Sequence, residues 1–155
     1  MIPRFAAVST LALLTLTACA PKAPEGVDSK TLDAEIARRI GSASTCVLVA
    51  DGAGATVYRY GSNTTCGREM PACAQPGNVT AADVLKAAIG GDARKVSCDS
   101  VEDGSRTVAW ASGPIPASAG KPPGFVYTVA MEGVEALPGR EIATRLEGMW
   151  PKAGF

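Results

Sequence analysis

The sequence predicts an α+β domain: an antiparallel sheet of about five strands, with the N- and C-terminal helices packed on one face and one short inserted helix. Apolar residues recur at helical spacing near both ends of the chain. They fall at Leu32, Ile36 and Ile40, and again at Ile142, Leu146 and Met149 or Trp150. Between these ends, runs rich in β-branched and aromatic residues flank two Asp-Gly turns, at Asp51-Gly52 and Asp103-Gly104. Helices at the ends with hairpins between them call for a layered fold in which helices cover a sheet.

Each element has its own signals. Asp28 or Ser29 supplies an N-cap for the first helix, and Gly41 stops it. Cys46-Val-Leu-Val-Ala50 is apolar at every position, so this strand should be buried on both faces and lie centrally. Ala55 to Tyr60 returns beside it as the second strand of a hairpin. Gly61 to Asn78, rich in Gly, Pro, Asn and Thr, reads as loop. Thr80-Ala-Ala-Asp83 resembles a capping box and opens a short helix that runs to Ile89 and ends at Gly90-Gly91. Lys95 to Ser100 and Arg106 to Ala111 make the second hairpin. A Pro/Gly/Ser loop from Gly113 to Gly124 leads into a strand from Phe125 to Met131, and Pro138 opens the last helix.

The first twenty residues carry an address. A short basic start, Met1 to Arg4, precedes an apolar run from Phe5 to Leu16, broken only by Ser9, Thr10 and Thr15. The run is shorter than the ~20 residues that span a hydrocarbon core. It ends in Leu16-Thr17-Ala18-Cys19, which resembles the lipobox of bacterial lipoproteins. That resemblance implies removal of residues 1–18, diacylglycerol on the Cys19 sulfur and an acylated (palmitate-type) new amino group. Two or more acyl chains anchor a protein stably where one does not. By analogy with that family, Ala20 after the cysteine, in place of aspartate, implies the outer membrane and its periplasmic face in a cell with two membranes. Residues 19–29, with Pro21 and Pro24, read as lipidated cysteine and tether. Residues 30–155 remain as a single periplasmic domain, long enough for its own core.

Composition narrows the chemistry. The 15 basic residues less Arg4 against 15 acidic leave a net charge of −1 after processing, with no basic run, so nucleic acid is not an expected partner. There is no histidine, which removes Ser-His-Asp and Cys-His catalysis and the commonest zinc and copper ligand. Cys46, Cys66, Cys73 and Cys98 form an even set in an exported chain, which reads as two disulfides with three pairings open. A four-thiolate metal site is the alternative, but no C-x2-C pair exists, and neither metal nor cofactor is expected.

No catalytic residue is assigned. Ser97, Ser100 and Ser112 are nucleophile candidates only by elimination, with Lys95 the one readable base nearby. Glu102 and Asp103 fit turn chemistry better than acid–base chemistry. Tyr58 and Tyr60, either side of Arg59, share a strand face; they pack on a terminal helix or, at a sheet edge, offer a stacking surface. Trp110 and Trp150 are expected in or near the core. Asn63-Thr-Thr65 and Asn78-Val-Thr80 match the glycosylation pattern, which carries no meaning in the bacterial setting that the lipobox implies.

The element order, with the terminal helices together, looks like the α/β domain of the serine β-lactamases and penicillin-binding proteins, in which a large helical domain follows the first hairpin. Locally, Tyr58-Arg-Tyr-Gly-Ser62 and Cys66-Gly-Arg-Glu-Met-Pro-Ala-Cys73 resemble the approach to that family's Ser-x-x-Lys. Here Ala74-Gln75-Pro76-Gly77 follows, with alanine in the nucleophile's place and glycine in the lysine's. Lys95-Val-Ser-Cys98 stands where the family carries Lys-Thr-Gly, so the resemblance makes Lys95 a candidate ligand-binding residue. Residues 74–94 leave room for only one helix of the inserted domain. Because the two motifs face each other across the family's cleft, the resemblance implies a Cys73–Cys98 bridge and, by remainder, Cys46–Cys66. Another α+β domain of the same order, roadblock-like or profilin-like, is the alternative architecture.

The expectation is a non-catalytic lipoprotein that binds an envelope protein or a peptidoglycan fragment. The alternatives are a serine hydrolase with a displaced nucleophile and a purely structural lipoprotein. Cells fed labelled palmitate should label the wild-type chain and leave Cys19→Ser unlabelled; equal labelling of both would place the lipid elsewhere.

Overall fold

The pleat of the strands decides the architecture. In a computed structural model, which describes residue 21 and residues 23–118 and 124–155, alternate side chains of the sheet enter two separate cores. The segment carrying Leu16-Thr17-Ala18-Cys19 lies outside the described residues, so the lipobox is an expectation of the sequence alone.

Helix α1 (Ser29–Ile40) leads into a hairpin of β1 (Cys46–Ala50) and β2 (Thr56–Tyr60). After α2 (Asn63–Cys66), β3 (Met70–Pro71), β4 (Asn78–Val79) and α3 (Ala81–Ile89) come β5 (Lys95–Asp99), β6 (Thr107–Pro114) and β7 (Val126–Gly133). Helices α4 (Gly139–Glu147) and α5 (Trp150–Ala153) end the chain. The main sheet is antiparallel throughout, in the order β2-β1-β7-β6-β5. This is the α+β arrangement expected. The strand β1, apolar at every position, is buried along its whole length between β2 and β7.

The first core lies under the terminal helices. Leu32, Ile36 and Ile40 from α1 and Ile142 and Leu146 from α4 pack on Val47, Val49, Ala109, Ala111 and Val129. Met149 and Trp150 both join them, because the chain turns at Gly148 and restarts as α5. The helices are tied at their ends as well. Arg39 donates to the carbonyl of Arg145 and Arg145 donates to that of Arg39, at 2.6 and 2.9 Å, so each guanidinium caps the other helix's last turn. Asp28 is the N-cap of α1, accepting from the Lys30 N–H and the Thr31 hydroxyl.

The second core covers the opposite face. Val84 and Leu85 of α3 lie over Leu48, Val108, Trp110 and Ala130. The capping box is complete: the Asp83 N–H donates to Thr80 Oγ1, and Asp83 Oδ2 accepts from the Thr80 N–H.

The segment Gly61 to Asn78 is not the plain loop that its composition suggests. Ser62 caps the single turn of α2 by accepting from the Thr65 N–H, and β3 pairs antiparallel with β4. The Trp110 indole N–H donates to the Pro71 carbonyl at 2.7 Å, which seats this small hairpin on the sheet. β6 and β7 also run on to Pro114 and Gly133, beyond the ends read from propensity, because pairing with each other sustains them.

Gly139 marks the closest approach of helix and sheet. A Cβ there would lie 2.3 Å from the Trp110 carbonyl oxygen and 2.6 Å from that of Val96. Gly139→Ala should therefore push α4 off the sheet and lower stability by about 1–3 kcal/mol, the usual range for overpacking; unchanged thermal unfolding would show that α4 can shift at no cost.

Candidate functional site

The four cysteines are joined as Cys46–Cys66 and Cys73–Cys98, with Cα–Cα distances of 5.1 and 5.4 Å. This is the pairing that the family resemblance implied. The first bridge fastens α2 to the start of β1, and the second fastens the β3–β4 hairpin to the edge strand β5. They span 20 and 25 residues of chain. On the chain-entropy model, loops of that size are worth ~3 kcal/mol each.

The positions that would hold a nucleophile are occupied by other structure. Residues 74–77 form the loop between β3 and β4, closed by a bond from the Ala72 N–H to the Gly77 carbonyl at 3.0 Å. A nucleophile presented at a helix N-terminus is therefore not built here; the next helix begins at Ala81. Cys73 itself has φ 61°, the one non-glycine residue with positive φ among the described residues.

The serine candidates are committed to structural bonds. Ser97 Oγ accepts from the Gly139 N–H at 2.9 Å, beneath the start of α4. Ser112 is buried and its Oγ accepts from the Arg94 N–H at 3.1 Å. The Ser100 hydroxyl donates to Glu132 at 2.9 Å. Among the described residues none of the three has a carboxylate–imidazole or lysine partner of the kind that activates a hydroxyl. Asp103 accepts from the Ser105 N–H at 2.9 Å, which makes it a turn residue, as expected; the Ser105 side chain and that N–H together hold its carboxyl below the usual range.

Lys95 is placed differently from what the family resemblance implies. Strand parity puts Val96 and Cys98 on the α3 face, whereas Lys95 and Ser97 point to the terminal-helix face. Lys95 therefore does not face Cys73 across a cleft. Tyr58 and Tyr60 lie at the far edge of the sheet on β2, so they form no common site with Lys95. Tyr58 is buried and its hydroxyl donates to Asp33 on α1 at 2.5 Å; burial and that carboxylate push the phenol's pKa up. Tyr60 is half-buried and lines a broad depression beside α1 with Lys30 and Asp33. Of the two readings for this pair, helix packing describes Tyr58, and only Tyr60 offers a surface.

Glu132 escaped the reading of the sequence. It sits on the α3 face of β7, beside Val108 of β6, and its side chain is 9% exposed. Arg106 donates to both of its oxygens at 2.7 Å, Arg68 to one at 2.9 Å and Ser100 to the other. The arginine bonds hold its pKa down to about 2. A single carboxylate in an otherwise apolar strand was the available signal, but its partners lie 26 to 64 residues away. Among the described residues no group of three or more His, Cys, Asp or Glu side chains could hold a metal ion.

Comparison of the chain with protein-family models, with curated proteins and with solved structures returned no match.

The pKa of Glu132 is lower in the folded state than in the unfolded one. Its contribution is thus complete above the unfolded value and is lost as pH falls from about 4.5 toward about 2. Glu132→Gln should flatten stability over that window and cost on the order of 2 kcal/mol at pH 7, after solvent screening through the half-exposed arginines. Parallel acid-unfolding curves for the two proteins would contradict this.

Proposed function

We propose that this chain is a lipid-anchored module of the bacterial cell envelope, on the periplasmic face of the outer membrane, that binds a partner and does no covalent chemistry. The observation that carries the reading is the commitment of Ser97, Ser100 and Ser112 to structural bonds. Among the described residues Ser97 and Ser112 meet no base, and Ser100 meets only Glu132, whose arginine partners hold its carboxylate too weakly basic to activate a hydroxyl. The Cys73–Cys98 bridge adds to it, since it ties down the segment where the resemblance would place a nucleophile.

Two disulfides favour an oxidising compartment, which agrees with the export signal and with Leu16-Thr17-Ala18-Cys19. Among the described residues no helix is long and apolar enough to cross a membrane. Membrane attachment would then fall to the lipid on Cys19. An envelope protein or a peptidoglycan fragment is the partner that this location would offer.

A reduced penicillin-recognising core remains our reading of the domain's origin. It is supported by the element order and by the terminal helices sharing one face. The binding reading does not depend on it, because architecture alone does not select a function.

Incubation of the purified protein with a fluorescent penicillin and with a fluorophosphonate tests the absence of chemistry. Neither should form a covalent adduct. A stoichiometric adduct mapped to one serine would replace this reading with that of a serine hydrolase whose nucleophile has moved.

A further inference from the structure

On the terminal-helix face, where the ends of β5, β6 and β7 meet the α4–α5 junction, lies a pocket of about 290 Å³. Its walls include Lys95, Tyr127, Glu147 and Trp150, together with Pro114 and Pro116. The volume falls at the small end of ligand sites, where a single metabolite fits and a larger molecule does not.

The chemistry of the walls is mixed in an informative way. Lys95 comes from β5 and Glu147 from the last turn of α4. Among the described residues neither belongs to an ion pair. Tyr127 is only 6% exposed, yet its hydroxyl has no hydrogen-bond partner among the described residues. The oxygen of this phenol is not sealed from solvent, so a ligand in the pocket can reach it. Burial and the charge of Glu147 hold the phenol protonated, so it is a standing donor. Trp150, 1% exposed, packs against the Tyr127 ring at 5.0 Å between centroids and completes an apolar wall with the prolines.

A simple anion would be drawn by Lys95 and repelled by Glu147, and a simple cation would meet the reverse. A molecule that carries both charges satisfies both residues at once. We infer that this pocket binds a free α-amino acid with a small or medium apolar side chain. Its carboxylate meets Lys95 and the Tyr127 hydroxyl, its ammonium group meets Glu147, and its side chain lies against Trp150 and the prolines. The inference deepens the binding-module reading and rests on it. It uses the face of the sheet opposite the Cys73–Cys98 bridge, so it owes nothing to the family's cleft.

Calorimetric titration of the full chain, in the form cells deliver, tests it with alanine, valine and proline of both hands, and with propionate and ethylamine as single-charge probes. At least one amino acid should bind, and both single-charge probes should bind about tenfold more weakly or worse, as expected when a charged hydrogen bond is lost. Lys95→Met and Glu147→Gln should each weaken amino-acid binding by a similar factor. Both side chains are exposed, so thermal unfolding without ligand should stay where it is. Three results would overturn the inference: no heat and no thermal shift with any amino acid at ~10 mM, where a millimolar site would stabilise the fold; equal binding of the single-charge probes; or variants that bind as the wild type does. Any of these leaves the envelope-module reading standing, whereas a fluorophosphonate adduct would remove that reading, so the two failures are told apart.

Discussion

Along the middle of β6 and β7 the side chains are buried on both faces of the sheet, and this double coverage is the constraint on which the rest of the domain depends. Val108 and Trp110 face α3 and the β3–β4 hairpin, while Ala109 and Ala111 face α1 and α4. A sheet buried on both sides cannot slip by one residue, because the slip would exchange the contents of the two cores. Small residues sit where the layers come closest, as Gly139 does against the backbone of Trp110 and Val96. Large ones fill the spaces between, with both tryptophans almost fully buried.

The α3 face has the harder problem. Among the described residues one helix of nine residues covers it, and the remainder is closed by a short turn and a two-stranded hairpin. Such segments bury too little to hold themselves in place. Here they are fastened: α2 to β1 by Cys46–Cys66, the hairpin to β5 by Cys73–Cys98 and to β6 by the Trp110 indole, and the stretch after α2 to β7 by Arg68 and Glu132. Covalent and charged links stand in for core volume. One of these links, Cys73–Cys98, also ties down the segment where the family resemblance would place a nucleophile.

Much of this was legible before any coordinates. Leu32, Ile36 and Ile40, the Thr80–Asp83 box and the continuous apolar run of β1 are local patterns, and each element lies where its pattern puts it. The short elements of residues 61–78 were illegible, since a four-residue helix and two-residue strands have no period to detect; distant partners hold them. The site residues divide the same way. Tyr58 and Ser97 carry no mark in the sequence of the bonds that occupy them, because Asp33 and Gly139 lie 25 and 42 residues away. Glu132 was missed for the same reason, and Lys95 was assigned to a cleft because motif position does not reveal which face of a strand a residue takes.

By itself, then, the sequence determined the class of fold, the order and kind of its principal elements and the lack of imidazole chemistry. Those properties depend on residues close together in the chain or on composition. Tertiary structure alone decided the two cores, the face on which Lys95 lies, the partners of Glu132 and the gathering of Lys95, Tyr127, Glu147 and Trp150 around one pocket. Strand pairing brings such residues together from distant parts of the chain, and the parity of the pleat then selects which of them meet.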